Sequence, residues 1–157
     1  MPPNKVTHIK RIDWNKLDLS DVVNNLADIV KIDTREGIHR GKDIDGNSFK
    51  RLADSTIRSK RKKGSANPGK ALWDEGIMKE VYVKPRATKA KPKANIQVPK
   101  GRGKAKKGRR TEVGGYHNTG DGVPKREWFG IGSRVKKKLD KEMKLRLIKH
   151  LKIGRVS

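Results

Sequence analysis

The residues that could do chemistry in this 157-residue chain are few and stand apart. The four histidines are His8, His39, His117 and His150. No two of them have the spacing of metal ligands. The order His117-Asn118 followed by Asp121 has the residue types of a nuclease site, but it lacks a second histidine or a metal-ligand partner nearby. We therefore expect no enzyme, no metal and no cofactor, and we interpret His117 as a turn residue whose ring bonds to neighbouring backbone.

A second candidate for chemistry is the acidic turn at 43–47. Its Asp43-Ile-Asp-Gly-Asn47 order is similar to the start of a calcium loop, but the later glycine and the final glutamate are missing. Asp45 and Gly46 favour a turn with positive φ. The chain has no cysteine, which excludes disulfides and thiolate chemistry. The sequence therefore predicts a structural turn at this place.

Charge is the strongest compositional signal. The chain has 41 Lys and Arg against 17 Asp and Glu, a net charge of +24, and only 32% hydrophobic residues. This composition predicts a small core and a partner of opposite sign, which could be nucleic acid, an acidic protein surface or anionic lipid. No apolar run approaches the ~18 residues of a membrane span, and no secretory apolar region follows the first residues. We expect a soluble protein made inside the cell, without a membrane partner.

Much of this charge lies in one segment, which we predict to be a basic extended arm or hairpin over 84–113. Residues 84–110 contain 12 Lys or Arg and no acid. The candidate contacts with DNA or another anionic partner are Lys89, Lys91, Lys93, Lys100, Arg102, Lys104, Lys106, Lys107, Arg109 and Arg110. A solvated loop and an arm ordered by its partner are both compatible with the pattern. Without aromatic residues, such an arm would contact phosphates and read no sequence.

The helices and strands that must position these residues are predicted to form one α+β domain over 1–157. A small antiparallel sheet, in which 81–84 pair with 96–98, is expected to pack with helices. The expected helical parts are an amphipathic N-terminal helix capped by Ser20 and ending near Gly37 or Gly41, a short helix at 56–63, a helical turn at 71–79, and a C-terminal helix at 133–153. Ser133 should cap that last helix and Gly154 should end it, and its apolar stripe should pack in the core. Residues 1–18 are predicted to be an N-terminal arm.

Four motifs, in order along the chain, carry a resemblance. The first is Asp43-Ile-Asp-Gly-Asn-Ser-Phe-Lys-Arg-Leu52, and the second is Ser55-Thr-Ile-Arg-Ser-Lys60. The third is Leu72-Trp-Asp-Glu-Gly-Ile-Met-Lys79, and the fourth joins Tyr116-His-Asn118 and Gly120 to Pro124, Arg126 and Trp128-Phe-Gly130. Together they resemble the phage virion morphogenesis, or tail completion, family. The departures are the basic insertion at 84–110 and the acids Asp74 and Glu75, where a small hydroxyl residue is common.

The resemblance implies a structural protein that forms a ring, commonly sixfold, at the head–tail joint of a tailed phage. It would be a tail completion, tail terminator or neck protein, assembled in the host bacterial cytoplasm and located in the virion. Its partners would be neighbouring neck, tail-tube and sheath proteins. The residues expected to shape the assembly loop are Tyr116, His117, Pro124, Arg126, Trp128 and Phe129. Trp128 and Phe129 are expected to anchor the loop in the core, and Arg126 to bond a carboxylate or carbonyls, either within the subunit or across the ring. The alternative function is a basic nucleic-acid-binding protein of ribosomal or chromatin type.

Overall fold

A computed structural model of the chain describes residues 18–73, 80–98 and 110–153. The described elements are α1 (Ser20–Arg40), α2 (Asp54–Lys62), β1 (Tyr82–Val83), β2 (Ile96–Gln97), α3 (Arg110–Thr119) and α4 (Ser133–Ile153). The two strands form one antiparallel sheet. The α+β class that the sequence predicts is therefore confirmed.

The long helices α1 and α4 run antiparallel along each other. The amide of Asn25 donates to Glu142, whereas Asp33, two turns further along α1, pairs with Arg134 near the start of α4. Val22, Ala27, Val30 and Ile38 of α1 are buried, and so is Val135 in the first turn of α4. The second half of α4 departs from the expected core packing. Met143 is 39% exposed there, and Leu145 and Ile148, which flank the stripe, are 55% and 50% exposed.

The two-stranded sheet lies against α1. Tyr82 is opposite Gln97 and Val83 is opposite Ile96, which is the antiparallel pairing that the sequence predicts, over shorter strands. The guanidinium of Arg35 in α1 donates to the carbonyl of Val81, just before β1. Val81 is completely buried, because it enters the core between the sheet and α1.

The predicted arm at 84–113 is wrong at its C-terminal end, where α3 begins at Arg110. Its first part follows α1, because the side-chain amide of Asn24 both donates to and accepts from the backbone of Ala87. Arg86 also pairs with Asp28 of α1. Residues 99–109 lie outside the described part of the chain, as do 1–17, 74–79 and Gly154.

The predicted serine caps are wrong, because Ser20 and Ser133 are the first residues of their helices. A carboxylate accepts the backbone N–H in each case, from Asp18 for Ser20 and from Asp45 for Ser133. A charged acceptor suits the positive end of the helix dipole better than a hydroxyl does. The predicted end of α1 is confirmed, since Gly41 follows it with φ of +67°.

Two shorter segments also differ from the expectation. Helix α2 begins at Asp54, with Ala53 as its cap, and ends at Lys62. Residues 71–73 form a turn with Leu72 at φ of +57°, so the described start of the predicted helical turn at 71–79 is not helical. The sequence prediction missed α3 altogether, since Gly114 and Gly115 lower its helix propensity.

Candidate assembly site

The centre of the candidate site is the buried side chain of Arg126, which is 3% exposed. Its Nε donates to the carbonyl of Lys50 at 3.0 Å and its Nη2 to that of Arg51 at 3.3 Å. Its Nη1 donates to the carbonyl of Pro124 at 3.1 Å and lies 3.2 Å from Nδ1 of His117. We call this group of contacts the Arg126 centre. Within the described ranges it contains no carboxylate, so backbone carbonyls satisfy the guanidinium.

A tight reversal of the chain delivers Arg126 to this position. Helix α3 ends where the N–H of Gly120, at φ of +86°, donates to the carbonyl of Tyr116. The chain then returns, and the N–H of Arg126 donates to the carbonyl of His117 at 2.6 Å. The sequence predicted that Arg126 bonds a carboxylate or carbonyls, within the subunit or across a ring. Its described partners are three carbonyls and the ring of His117, all of the same chain.

His117 lies in the last turn of α3, so the prediction of a turn residue is wrong. Burial lowers the pKa of His117, the charge of Arg126 lowers this pKa further, and a bond with the backbone of Pro124 partly offsets both. The ring is therefore neutral at physiological pH. Its Nδ1 can then accept from the Arg126 guanidinium, which burial leaves with a lowered pKa but still charged.

Trp128 and Phe129 attach α3 to the core. Trp128 is buried with Ile38 and Val81, and its Nε1 donates to the carbonyl of Gly114 at 2.9 Å. The backbone of Phe129 exchanges two hydrogen bonds of 3.1 Å with the side-chain amide of Asn118. Phe129 packs against the same core cluster. The two aromatic residues therefore occupy the core positions that their types suggest. The side-chain amide of Asn118 fixes the backbone of Phe129 to α3.

The structure brings together five of the six residues predicted for the assembly loop. Tyr116 is the exception, because its side chain is exposed on α3 and only its carbonyl takes part. Asp121, the acid of the nuclease-like order, is also exposed. In the described part of the chain no group of three His, Asp or Glu side chains could hold a metal ion.

A second arginine, which the sequence analysis did not single out, holds the acidic turn. Arg134 pairs with the buried carboxylate of Asp33 at 2.7 Å and donates to the carbonyl of Asp43, also at 2.7 Å. Its guanidinium lies directly over Gly37, where any larger side chain would collide with it. One signal could have revealed this contact, because Asp33 follows Val30 by three residues and so falls on the apolar face of α1.

Lys60, from the second motif, is a buried cation as well. Its ammonium donates to the carbonyls of Lys70 at 2.8 Å and Trp73 at 2.9 Å. The ammonium of Lys70 in turn lies 5.1 Å from the ring centroid of Trp73. Spacing alone does not distinguish Lys60 from the exposed basic neighbours that it has in α2.

Only some of the candidate contacts with an anionic partner lie within the described residues. Lys89, Lys91 and Lys93 are exposed, in a turn where the backbones of Thr88 and Lys91 pair. Arg110 is the first residue of α3. The remaining candidates lie outside the described residues; they are Lys100, Arg102, Lys104, Lys106, Lys107 and Arg109. Among the described helices none is long and apolar enough to cross a membrane.

Comparison of the chain with protein-family models, with curated proteins and with solved structures found no match. The arrangement itself is a set of three cations, of which Lys60 and Arg126 are buried and Arg134 is partly buried, and their donors hold backbone carbonyls of separate loops. Such an arrangement keeps loops in fixed positions, because each carbonyl would otherwise have to be solvated.

Proposed function

We propose that this chain is a structural virion protein of a tailed phage that forms a ring at the head–tail joint. It would act as a tail completion, tail terminator or neck protein. The observation that carries the proposal is that the four motifs of the resemblance meet in space. Lys60 of the second motif bonds the carbonyl of Trp73 in the third, and Arg126 of the fourth bonds the carbonyls of Lys50 and Arg51 in the first.

The core joins the same motifs through apolar contacts. Phe49 of the first motif and Leu72 and Trp73 of the third pack against the cluster that contains Trp128 of the fourth. Residues spread over about 90 positions therefore form one connected unit. Four motifs that describe a single packing unit support a resemblance of fold, whereas unrelated matches would have no reason to touch.

The polar atoms of the Arg126 centre support an assembly role. The Arg126 guanidinium and the His117 imidazole bond each other or backbone, and the side-chain amide of Asn118 beside them bonds the backbone of Phe129. Such a centre presents the surrounding loops rigidly, and a rigid loop loses little conformational entropy when a neighbouring subunit binds. Ring assembly is a function that needs this property at every interface.

A closed ring also needs two different contact faces on each subunit. Two exposed apolar sites lie at different positions along α4. Ile131, just before the helix, is 65% exposed, and Leu145 is 55% exposed in its second half. Leu145 follows Ser133, the first residue of α4, by twelve residues, which is about 18 Å along the helix. We propose these two sites as the complementary faces of a head-to-tail contact.

The remaining partners follow from the same proposal. Neighbouring neck, tail-tube or sheath proteins would contact the two open sides of the ring, and the basic segment around Lys89, Lys91 and Lys93 would face an acidic partner or DNA. The protein would assemble in the cytoplasm of the bacterial host and remain in the virion.

Variants of the two apolar faces test the ring directly. We expect Ile131→Glu and Leu145→Glu to abolish rings in electron micrographs of the purified protein, because each places a charge in one face. A mixture of the two variants should form pairs, since one intact face of each remains, but no closed rings. Ile32→Glu, at an exposed apolar residue of α1, is the matched control and should leave the rings intact.

The proposal fails if the wild-type protein is strictly monomeric and absent from purified virions. In that case tight, salt-dependent binding of nucleic acid by the monomer would favour the alternative, a basic protein of ribosomal or chromatin type.

A further inference from the structure

The outward side of α2 concentrates cations that the fold does not use. Arg58, Arg61 and Lys62 are exposed and lie three and four residues apart, so they share one side of the helix, and Lys63 follows directly. Within the described part of the chain, none of these four side chains makes an ion pair or a hydrogen bond. We call Arg58, Arg61 and Lys62 the α2 cation row.

The other side of α2 fixes the helix in place. Lys60 is buried and donates to two carbonyls of the neighbouring turn, and Ile57 is partly buried. The single acid of the helix, Asp54, pairs with Arg51 at 2.9 Å and lies one turn before the cation row. The row is therefore held on a rigid element, with no carboxylate of its own helix left to neutralise it.

We propose that the α2 cation row binds the phosphate backbone of duplex DNA, as a contact separate from the basic segment after β1. Three cations within little more than one helical turn, ~5.4 Å, provide a compact site for successive phosphates. The exposed hydroxyl groups of Ser55, Thr56 and Ser59 add donors of the kind that commonly contact phosphate oxygens.

The chemistry of this face favours a duplex backbone over other anionic partners. Binding of single strands relies on aromatic side chains that stack on bases, and α2 contains no aromatic residue. A stable protein interface would need an apolar or aromatic anchor at its centre, and the only apolar residue of α2, Ile57, lies partly buried beside Lys60. The row therefore offers charge and hydrogen bonds alone, which matches a polyphosphate backbone.

The row and the basic segment lie at opposite ends of α1. Residues following β1 are attached near the start of α1 by the bonds between Asn24 and Ala87. The turn that Lys60 holds reaches the other end, where the ammonium of Lys70 lies 3.5 Å from the carbonyl of His39. Fifteen residues separate Asn24 from His39, or ~22 Å of helix. Substitutions in one site therefore leave the other intact.

Three triple variants with the same loss of charge separate the possible sites. They are Arg58→Gln with Arg61→Gln and Lys62→Gln in α2, Lys89→Gln with Lys91→Gln and Lys93→Gln after β1, and Lys137→Gln with Lys141→Gln and Lys144→Gln on exposed positions of α4. Binding of the full-length protein to a labelled DNA duplex is measured by fluorescence anisotropy between about 50 and 200 mM salt.

We expect the α2 variant to lose three phosphate contacts. The negative slope of log affinity against log salt should then become shallower by about 2.7. Over a fourfold range of salt, wild-type affinity should then fall about 40-fold more than that of the α2 variant. The α4 variant, with the same net charge, should keep the slope of the wild-type protein to within about one unit.

The proposal is overturned if the α2 variant keeps the salt slope of the α4 variant, or if only the variant after β1 loses slope. Tighter binding of a single strand or of duplex RNA than of the DNA duplex would also overturn it, because the partner would then be of another class. Ring formation is scored separately on the same samples, so failure of the ring and failure of this contact are distinguishable.

Discussion

Replacing Arg126 by lysine keeps the buried charge and removes the planar set of donors. In the wild-type chain the guanidinium reaches the carbonyls of Lys50, Arg51 and Pro124 at 3.0, 3.3 and 3.1 Å, from three different nitrogens. A lysine ammonium is one nitrogen with three donors and cannot occupy those three positions at once. We therefore expect it to satisfy one carbonyl and to leave two without a protein donor.

Each buried acceptor that loses its donor costs about 1–3 kcal/mol. Lys50 and Arg51 are exposed residues, so water can reach their carbonyls in part, and the lower half of that range applies. Two such losses predict that the free energy of unfolding falls by about 3 kcal/mol. For a domain of this size, the midpoint of thermal unfolding should fall by about 6–12 °C.

Thermal and urea unfolding near neutral pH measure this effect, with Arg51→Lys as the matched control. Arg51 is in the same segment, but its side chain is 80% exposed and pairs only with Asp54 within the described part of the chain. An exposed pair of this kind contributes less than about 1 kcal/mol. A loss below about 1 kcal/mol for Arg126→Lys, or equal losses for both variants, would refute the role assigned to the Arg126 centre.

Three further predictions concern the same fold. Burial and the neighbouring guanidinium lower the pKa of His117 below its usual 6.5. The unfolded chain then binds more protons below that pH, so stability should fall by up to about 1.4 kcal/mol per unit as pH decreases from 6.5. His117→Gln should remove this part of the pH dependence, and identical slopes would contradict it. Asp33→Ala removes the buried carboxylate that pairs with the partly buried Arg134 and should cost about 2 kcal/mol in urea unfolding, against less than about 1 for the exposed Asp54→Ala; similar losses would argue against the pair. Gly132→Ala places a Cβ 2.6 Å from a backbone carbon of the turn that packs on it and should cost about 2 kcal/mol, whereas Gly69→Ala meets nothing within 4 Å. Equal thermal midpoints for these two glycine variants would show that the turn can move away.

The periodic parts of the fold could be predicted from the sequence. The apolar stripe of α1, the pairing of the two short strands and the acidic turn at 43–47 each have a local signal that sets their structure. The helix α3 could not be predicted in the same way. Its Gly114 and Gly115 oppose a helix locally, and the contact that places it, from Trp128 to the carbonyl of Gly114, spans fourteen residues.

Some residues of the candidate site could be predicted from the sequence and others could not. Arg126 lies between Pro124 and Trp128 in the fourth motif, and this position in the sequence indicates that its side chain bonds polar groups. Arg134 and its partner Asp33 are 101 positions apart, so no local pattern connects them. Lys60 is buried because a turn of the chain folds over it and accepts its hydrogen bonds. The sequence of α2 itself does not show which of its basic residues will be covered in this way.

The mass of the wild-type full-length protein in solution tests the central claim most directly. A structural ring protein should form a closed assembly of defined size, and a sixfold ring would have six times the 17.7 kDa of one chain. Mass photometry or sedimentation at two protein concentrations should then show one discrete species, with rings visible in the same sample by electron microscopy. A protein that remains at the mass of one chain at every concentration would contradict the account.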